Sequence, residues 1–193
     1  MNKKTVTKNN EQEFSKFLSF ILRHKPEEIG VSLEDNGWIN IDKLIKAINN
    51  HEASKWVIDL DILEQIVAND NKQRYSFNDN KTKIRANQGH SIKELVMNFK
   101  EVETPPEYLY HGTSKKNFEM IKEACGLLPM SRQMVHLSGD IETASKVGKR
   151  HGDLIVLQIN TCRLLDLNHK IYISDNGVYL VDSVPLSCIE SNI

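Results

Sequence analysis

Four short segments of this chain hold residue types that a folded core does not require and that chemistry can use. Leu22-Arg23-His24-Lys25-Pro26 gathers three basic side chains at what reads as a helix end. Lys83-Ile84-Arg85-Ala86-Asn87-Gln88-Gly89-His90 places a cation on a strand and follows it with a polar, glycine-containing turn. Tyr110-His111-Gly112-Thr113 reads as a strand ending in a turn where glycine lets a ligand approach the backbone. Arg132-Gln133-Met134-Val135-His136-Leu137-Ser138 adds a guanidinium, an imidazole and a hydroxyl. Taken singly, each has a plainer explanation. Arg23 and Lys25 suit the exposed carbonyls of a helix end. His24 lies beside an apolar stripe and suits a core, His111 and His136 suit structural roles, and Arg85 and Arg132 suit solvent. Chemistry enters only with their conjunction.

The elements that must position these segments can be read from periodicity. Phe14, Phe17, Leu18, Ile21 and Leu22 form one apolar stripe of a helix, which Pro26 stops, so Arg23 and His24 fall in its last turn. Residues 1–12 read as a frayed polar tail. Trp38-Ile39-Asn40-Ile41 alternates like a short strand, and Asp42 can cap a helix carrying Leu44, Ile45 and Ile48. A further helix begins near Asp59 and buries Leu60, Leu63, Ile66 and Val67. The segments 74–77 and 83–86 flank Asn78-Asp79-Asn80 as a hairpin. Ser91 and Glu94 have capping-box spacing ahead of a helix bearing Leu95, Val96 and Phe99. Helices followed by a hairpin describe a winged-helix lobe over residues 1–101.

Val102–Glu107, with Pro105 and Pro106, reads as the linker. Short strands follow at Tyr108–His111, Val135–Ser138, Leu154–Ile159, Lys170–Ser174 and Val178–Val181, with Asp175-Asn176-Gly177 turning between the last two. Helices near Asn117–Cys125 and Ile141–His151 end at Gly126 and Gly152. Residues 102–193 thus form a strand-rich second lobe, and the fold class is α+β.

Composition bounds the rest. Hydrophobic residues at 39% and charged residues at 26% describe an ordinary globular chain, which excludes disordered and fibrous classes. A net charge of −1 gives no global sign of nucleic-acid binding, so any RNA must be met by a local cluster of cations. Cys125, Cys162 and Cys188 are odd in number and widely spaced, which disfavours disulfides or a zinc knuckle. No secretory leader or stretch of about 18 apolar residues is visible, so a cytoplasmic location is expected, with no membrane. Gly148-Lys149 is followed by arginine and not Ser or Thr, so there is no Walker loop. The histidines lack zinc spacing.

In this order and at about this spacing, these segments closely resemble the RNA 2′-phosphotransferase family, the tRNA-splicing enzymes and their bacterial relatives. The resemblance runs from Phe14 to about Pro185. It includes Leu18-Ser19-Phe20-Ile21-Leu22-Arg23-His24-Lys25-Pro26, the Asp35-Asn36-Gly37-Trp38 turn, Lys72-Gln73-Arg74-Tyr75 and Ile84-Arg85-Ala86-Asn87-Gln88-Gly89-His90-Ser91. It continues through Tyr110-His111-Gly112-Thr113, Val135-His136-Leu137-Ser138 and Lys146-Val147-Gly148-Lys149-Arg150. It is weaker between Cys125 and Met130 and over the last several residues.

The resemblance implies an N-terminal winged-helix-like RNA lobe and a C-terminal ADP-ribosyltransferase-like lobe that binds NAD. By the same resemblance NAD is expected to be a consumed co-substrate, with no metal needed. The family's catalytic set falls on Arg23, His24, Arg85 and Arg132, and its NAD motifs on His111-Gly112-Thr113 and His136-Leu137-Ser138. Lys25, Asn87, Gln88 and His90 lie where RNA contacts are expected, although a tight structural turn explains the last three nearly as well.

Two steps are implied. The RNA 2′-phosphate displaces nicotinamide to give RNA-2′-phospho-ADP-ribose; the neighbouring ribose 2″-hydroxyl then attacks phosphorus, giving RNA 2′-OH and ADP-ribose 1″,2″-cyclic phosphate. The partners are therefore NAD and RNA carrying an internal 2′-phosphate, of the kind left at a tRNA splice junction, and no obligate protein partner is evident. Two rivals share these residues: an NAD-dependent ADP-ribosyltransferase capping terminal phosphates of nucleic acids, and a non-catalytic winged-helix module that binds ADP-ribose.

Overall fold

The stripe of Phe14, Leu18, Ile21 and Leu22 specifies α1 (Glu11–Arg23), and all four side chains are wholly withdrawn from water. Burial of this kind contributes about 1.5–3 kcal/mol per side chain, which makes α1 the spine of the first core. His24 caps the helix, its N–H donating to Phe20 O at 2.9 Å, and Pro26 opens the 3₁₀ turn Pro26–Ile29. The chain is described by a computed structural model over residues 3–192. It divides into two units, Met1–Asn98 and Phe99–Ile193, each with its own apolar core.

In the first unit the N-terminal stretch departs from a frayed tail. β1 (Lys4–Thr5) runs parallel to β3 (Trp56–Val57), and Val6 is buried. The backbone of β3 offers partners there, and Val6 supplies the apolar anchor that a polar tail would lack. The part of the expected tail at residues 1–2 lies outside the described residues. β2 (Ile39–Asn40) leads into α2 (Ile41–Asn50), whose cap is Asn40 and not Asp42. Asn40 has the extended backbone a cap needs and accepts the Lys43 N–H at 3.0 Å, whereas Asp42 is already inside the first turn. α3 (Leu60–Ala68) is capped by Asp59 and buries Leu63 and Ile66, but Leu60, at its first position, is exposed.

β4 (Tyr75–Phe77) and β5 (Lys83–Ala86) pair as the expected hairpin, and β2 adds to the other edge of β5. The helix expected after Ser91 does not form. Ser91 donates its N–H to Arg23 O at 3.0 Å and so belongs to the end of α1. Further on, Val96 O accepts the Asn36 N–H at 3.2 Å, and the Asn98 N–H donates to Asn36 Oδ1 at 2.9 Å. These distant partners consume the backbone groups that a local helix would have used.

The second unit begins with β6 (Lys100–Glu101), which pairs with β11 (Tyr172–Ile173); the division of the chain therefore precedes the expected 101/102 boundary. β7 (Tyr108–Ser114) pairs along its whole length with β10 (Leu154–Asn160), and β14 (Ile189–Asn192) flanks β10. A second sheet has the order β6-β11-β12-β9, with β9 at Val135–Leu137 and β12 at Tyr179–Val181. The bridge between Tyr110 and Ser138 joins β7 to the end of β9.

α4 (Lys115–Glu123) is capped by Ser114, and α5 (Ile141–Gly148) by Asp140. After α4 the left-handed residue is Cys125, since Gly126 already opens the short strand β8 (Gly126–Leu127). α6 (Thr161–Asp166), capped by Asn160, has too short an apolar pattern to announce itself. Among the described residues no helix is long and apolar enough to cross a membrane.

Candidate active site

Arg23 and His24 reach their positions because the apolar stripe ends there and Pro26 forbids another turn. Arg85 projects from β5, the middle strand of its sheet. Its guanidinium carbon lies 4.6 Å from the Trp38 ring centroid. Register produces this contact: Ile39 pairs with Ile84 and Asn40 with Lys83, so Trp38 comes opposite Arg85. A cation over an indole face gains attraction and loses freedom, which fixes the guanidinium in one place.

The turn after β5 packs under these cations. Asn87 is buried, its N–H bonding Arg74 O and its carboxamide donating to Gln73 O at 2.7 Å. Gly89 adopts φ +90°, and a Cβ there would stand 3.6 Å from Arg23 Cδ and Nη1. His90 is 2% exposed, with Nε2 packed over the α-carbon of Gly37. Neither of its ring nitrogens has a hydrogen-bond partner among the described residues. Burial first, then the charges of Arg23, His24 and Arg85, push the His90 pKa down to about 4. The ring is therefore neutral at physiological pH, and every charged group acting on it is basic.

His24 lies against the same turn, Nδ1 standing 2.9 Å from Ser91 Oγ. Of the residues expected to touch RNA, Lys25 is exposed beside Glu27 and Gln88 is half-buried, while Asn87 and His90 face the interior. The first unit thus gathers Arg23, His24, Arg85 and His90 into one basic cluster.

In the second unit His111, on β7, donates its Nδ1–H to His136 O at 3.0 Å; a carbonyl only accepts, so the tautomer is settled. Burial lowers the His111 pKa, the bond to His136 opposes that shift, and His151 and Arg132 nearby reinforce it. His111 is consequently neutral, with a lone pair on Nε2. His136 donates Nδ1–H to Met134 O at 3.0 Å and alternates along β9 with Val135 and Leu137, which enter the core. Thr113 is buried and Ser138 half-buried, the latter exchanging backbone hydrogen bonds with Tyr110 at 2.8 and 2.9 Å. Arg132 is exposed after a turn closed by its N–H to Pro129 O, yet its charge reaches His111.

Gly112 corrects the expectation of a turn where a ligand approaches. β7 continues through it, and a Cβ there would lie 1.8 Å from Ala144 O on α5. Gly148 of α5 is equally constrained, its own Cβ falling 2.8 Å from the Gly112 carbonyl carbon and Thr113 N. These two glycines let helix and strand touch backbone to backbone. The occupant of Gly112's missing side chain is α5.

Ser91 and Trp38 carry no functional signal in the sequence, since Ser91 has the spacing of a helix cap and Trp38 stands in a strand-like alternation. His151 carried no signal, since its approach to His111 depends on α5 packing against β7. Among the described residues no group of His, Cys, Asp or Glu gathers as a metal site.

Comparison with known proteins gives the class. The family described as RNA 2′-phosphotransferase, Tpt1/KptA family, matches residues 9–183. A protein from Fusobacterium nucleatum named "Probable RNA 2′-phosphotransferase" is 51% identical over 183 residues, 94% of this chain and 99% of that protein. Proteins of the same name from Trichormus variabilis and Flavobacterium johnsoniae are 47% and 44% identical, covering 90% and 96% of this chain and 92% and 98% of theirs. The chain belongs to the RNA 2′-phosphotransferase family, and it is a transferase.

Proposed function

We propose that this enzyme removes an internal 2′-phosphate from RNA, consuming NAD and releasing nicotinamide, RNA with a free 2′-hydroxyl, and ADP-ribose 1″,2″-cyclic phosphate. In this reading Met1–Asn98 is a winged-helix-like RNA lobe and Phe99–Ile193 an ADP-ribosyltransferase-like NAD lobe. The observation that carries it is the basic cluster of Arg23, His24 and Arg85 around the neutral ring of His90. A chain of net charge −1 that concentrates such groups has built a local anion site.

The NAD side fits the donor set of the second unit. Neutral His111 offers Nε2 as an acceptor for a ribose hydroxyl or amide N–H, Ser138 offers a hydroxyl, and Arg132 a cation for pyrophosphate or the phosphoryl group. Gly112, Thr113 and Leu137 contribute through backbone and packing. NAD supplies an anomeric carbon bonded to a good neutral leaving group. The 2′-phosphate has a second pKa of about 6 and is already an anionic nucleophile, so no strong base is required for the first displacement.

The second step asks more of the chain. As the ribose 2″-oxygen bonds to phosphorus and loses its proton to water, the bond from phosphorus to the RNA 2′-oxygen breaks and that oxygen takes a proton up. Arg23, Arg85 and Arg132 oppose the phosphoryl charge, and His24 gives the proton. In this reading Gln88 and Lys25 meet RNA, a role their access to solvent supports, while Asn87 and His90 hold the turn beneath Arg23 and Arg85.

The test is incubation with NAD and an oligonucleotide carrying one internal 2′-phosphate, assaying nicotinamide, dephosphorylated RNA and the cyclic product separately. All three should appear in equal amounts. Nicotinamide release that leaves ADP-ribose attached to a terminal phosphate would favour the capping reaction, and no release at all would favour a binding module.

A further inference from the structure

Ser91 grips the end of α1 twice. Its N–H donates to the Arg23 carbonyl at 3.0 Å, and its Oγ lies 2.9 Å from His24 Nδ1. Both bonds arrive from far along the chain, 67 residues separating Ser91 from His24. They act on consecutive residues, so a single side chain and its own amide locate both the Arg23 main chain and the His24 ring. The sequence conceals this, since Ser91 and Glu94 have the spacing of a helix start and no helix follows.

We propose that Ser91 is the positioning residue for His24. It holds the proton of the neutral ring on Nδ1 and so leaves Nε2 as the nitrogen that gains and loses a proton. The identity of the group that receives that proton, the departing RNA oxygen, rests on the function proposed above; the positioning itself does not. When Nδ1–H donates to Oγ, the bond survives the transfer: the imidazolium loses its Nε2 proton, and the neutral ring that remains still donates from Nδ1. The ring therefore need not move as it titrates.

A hydroxyl is suited to this task because it accepts the Nδ1–H without a charge while its own O–H rotates away from the ring. A carboxylate in its place would hold Nδ1 equally well but would also favour the imidazolium, making the proton harder to surrender. The backbone bond matters separately. It fixes where α1 ends, and with Gly89 packed against the Arg23 side chain it keeps the turn and the helix terminus in register.

The decisive measurement is ¹⁵N NMR of the imidazole nitrogens in the full-length protein across a pH series, the His24 signals being assigned with His24→Gln. In the wild type the neutral His24 ring should carry its proton on Nδ1. Ser91→Ala should move it toward the Nε2–H form that free histidine prefers, and Ser91→Thr, which keeps the hydroxyl, should restore the wild-type pattern. In turnover, Ser91→Ala should lower kcat by about 10- to 100-fold with little change in KM, and should displace the alkaline limb of the pH profile, where a proton-donating His24 loses its proton.

A wild-type ring protonated on Nε2 would overturn the proposal, as would a Ser91→Ala protein with unchanged tautomer and pH profile. Should Ser91→Ala fail to fold, Ser91→Thr decides: a folded threonine variant that has lost the Nδ1–H form also refutes it. A wild type without turnover would instead refute the functional reading, and the NMR result would still judge Ser91.

Discussion

The Nδ1–H of His111 donates to the carbonyl oxygen of His136 across 3.0 Å, and this bond governs what both strands can present to a ligand. It ties β7 to β9 and fixes the His111 tautomer. Burial, reinforced by the neighbouring Arg132 charge, keeps that ring uncharged. A neutral imidazole with one committed nitrogen is an acceptor of fixed direction.

On the function proposed above, that acceptor serves NAD. His111→Phe, which keeps the ring and removes the acceptor, should weaken NAD binding by about 10-fold or more by calorimetry, near the cost of an unmade polar contact. The shift also has a sign. Because the pKa lies below the ordinary 6.5, the acceptor is present throughout neutral and alkaline pH and is lost only as pH falls through the lowered value. NAD affinity should be flat above about pH 6.5 and decline below it. A decline centred at or above 6.5 would contradict a neutral His111.

His90 carries a second pH dependence, in stability. Its folded pKa of about 4 lies below the ordinary 6.5, burial being the main cause. As pH falls below 6.5 the unfolded chain takes up a proton that the folded chain refuses, so the stabilisation present above 6.5 drains away toward pH 4. At pH 5 the loss should be about 2 kcal/mol relative to neutral pH. His90→Gln, which has no proton to gain, should lose correspondingly less over the same interval. Urea unfolding followed by fluorescence reads the first unit directly, since Trp38 and Trp56 are the chain's two tryptophans. Parallel pH dependence in the two proteins would show that His90 is not the group responsible.

Gly112→Ala tests whether that glycine serves packing. Its Cβ would overlap Ala144 O at 1.8 Å, and no rotamer can relieve a clash with backbone. α5 must shift away from β7, at a cost of about 3 kcal/mol or more, near the upper end for overpacking. The second unit should melt earlier while Trp fluorescence of the first unit is unchanged. A stable Gly112→Ala protein that has lost only NAD affinity would return Gly112 to the role of a ligand cradle.

That glycine also shows where sequence reading stops. Phe14, Leu18, Ile21 and Leu22 announced α1 because a period of three to four residues needs only local chemistry to interpret. The hairpin at β4 and β5 and the start of α3 near Asp59 are local in the same sense. Ser91 and Gly112 are not. Each carries a familiar local signal, a capping box in one case and a ligand-approach glycine in the other. Each is claimed instead by a partner remote in sequence: the end of α1 for Ser91, the backbone of α5 for Gly112. The candidate residues were legible as types in order. What the sequence withheld was Trp38 stacked on Arg85, and the inward turn of Asn87 and His90.

On the function proposed above, His24 and Arg132 serve the second chemical step more than the first, and kinetics can resolve the two. The first displacement needs an anionic phosphate and an exposed anomeric carbon, and neither depends on a proton donor. The second accumulates charge on phosphoryl oxygens and expels an alkoxide, so it calls on a titratable group and on a guanidinium that stays charged. Removing a preorganised donor of this kind costs on the order of 3 kcal/mol of barrier, roughly a hundredfold in rate. In rapid-quench experiments His24→Ala and Arg132→Ala should therefore release nicotinamide at near wild-type rates while RNA-2′-phospho-ADP-ribose builds up. If both variants stall before nicotinamide leaves, the two residues serve the first displacement, and the proton that His24 holds must be sought a different use.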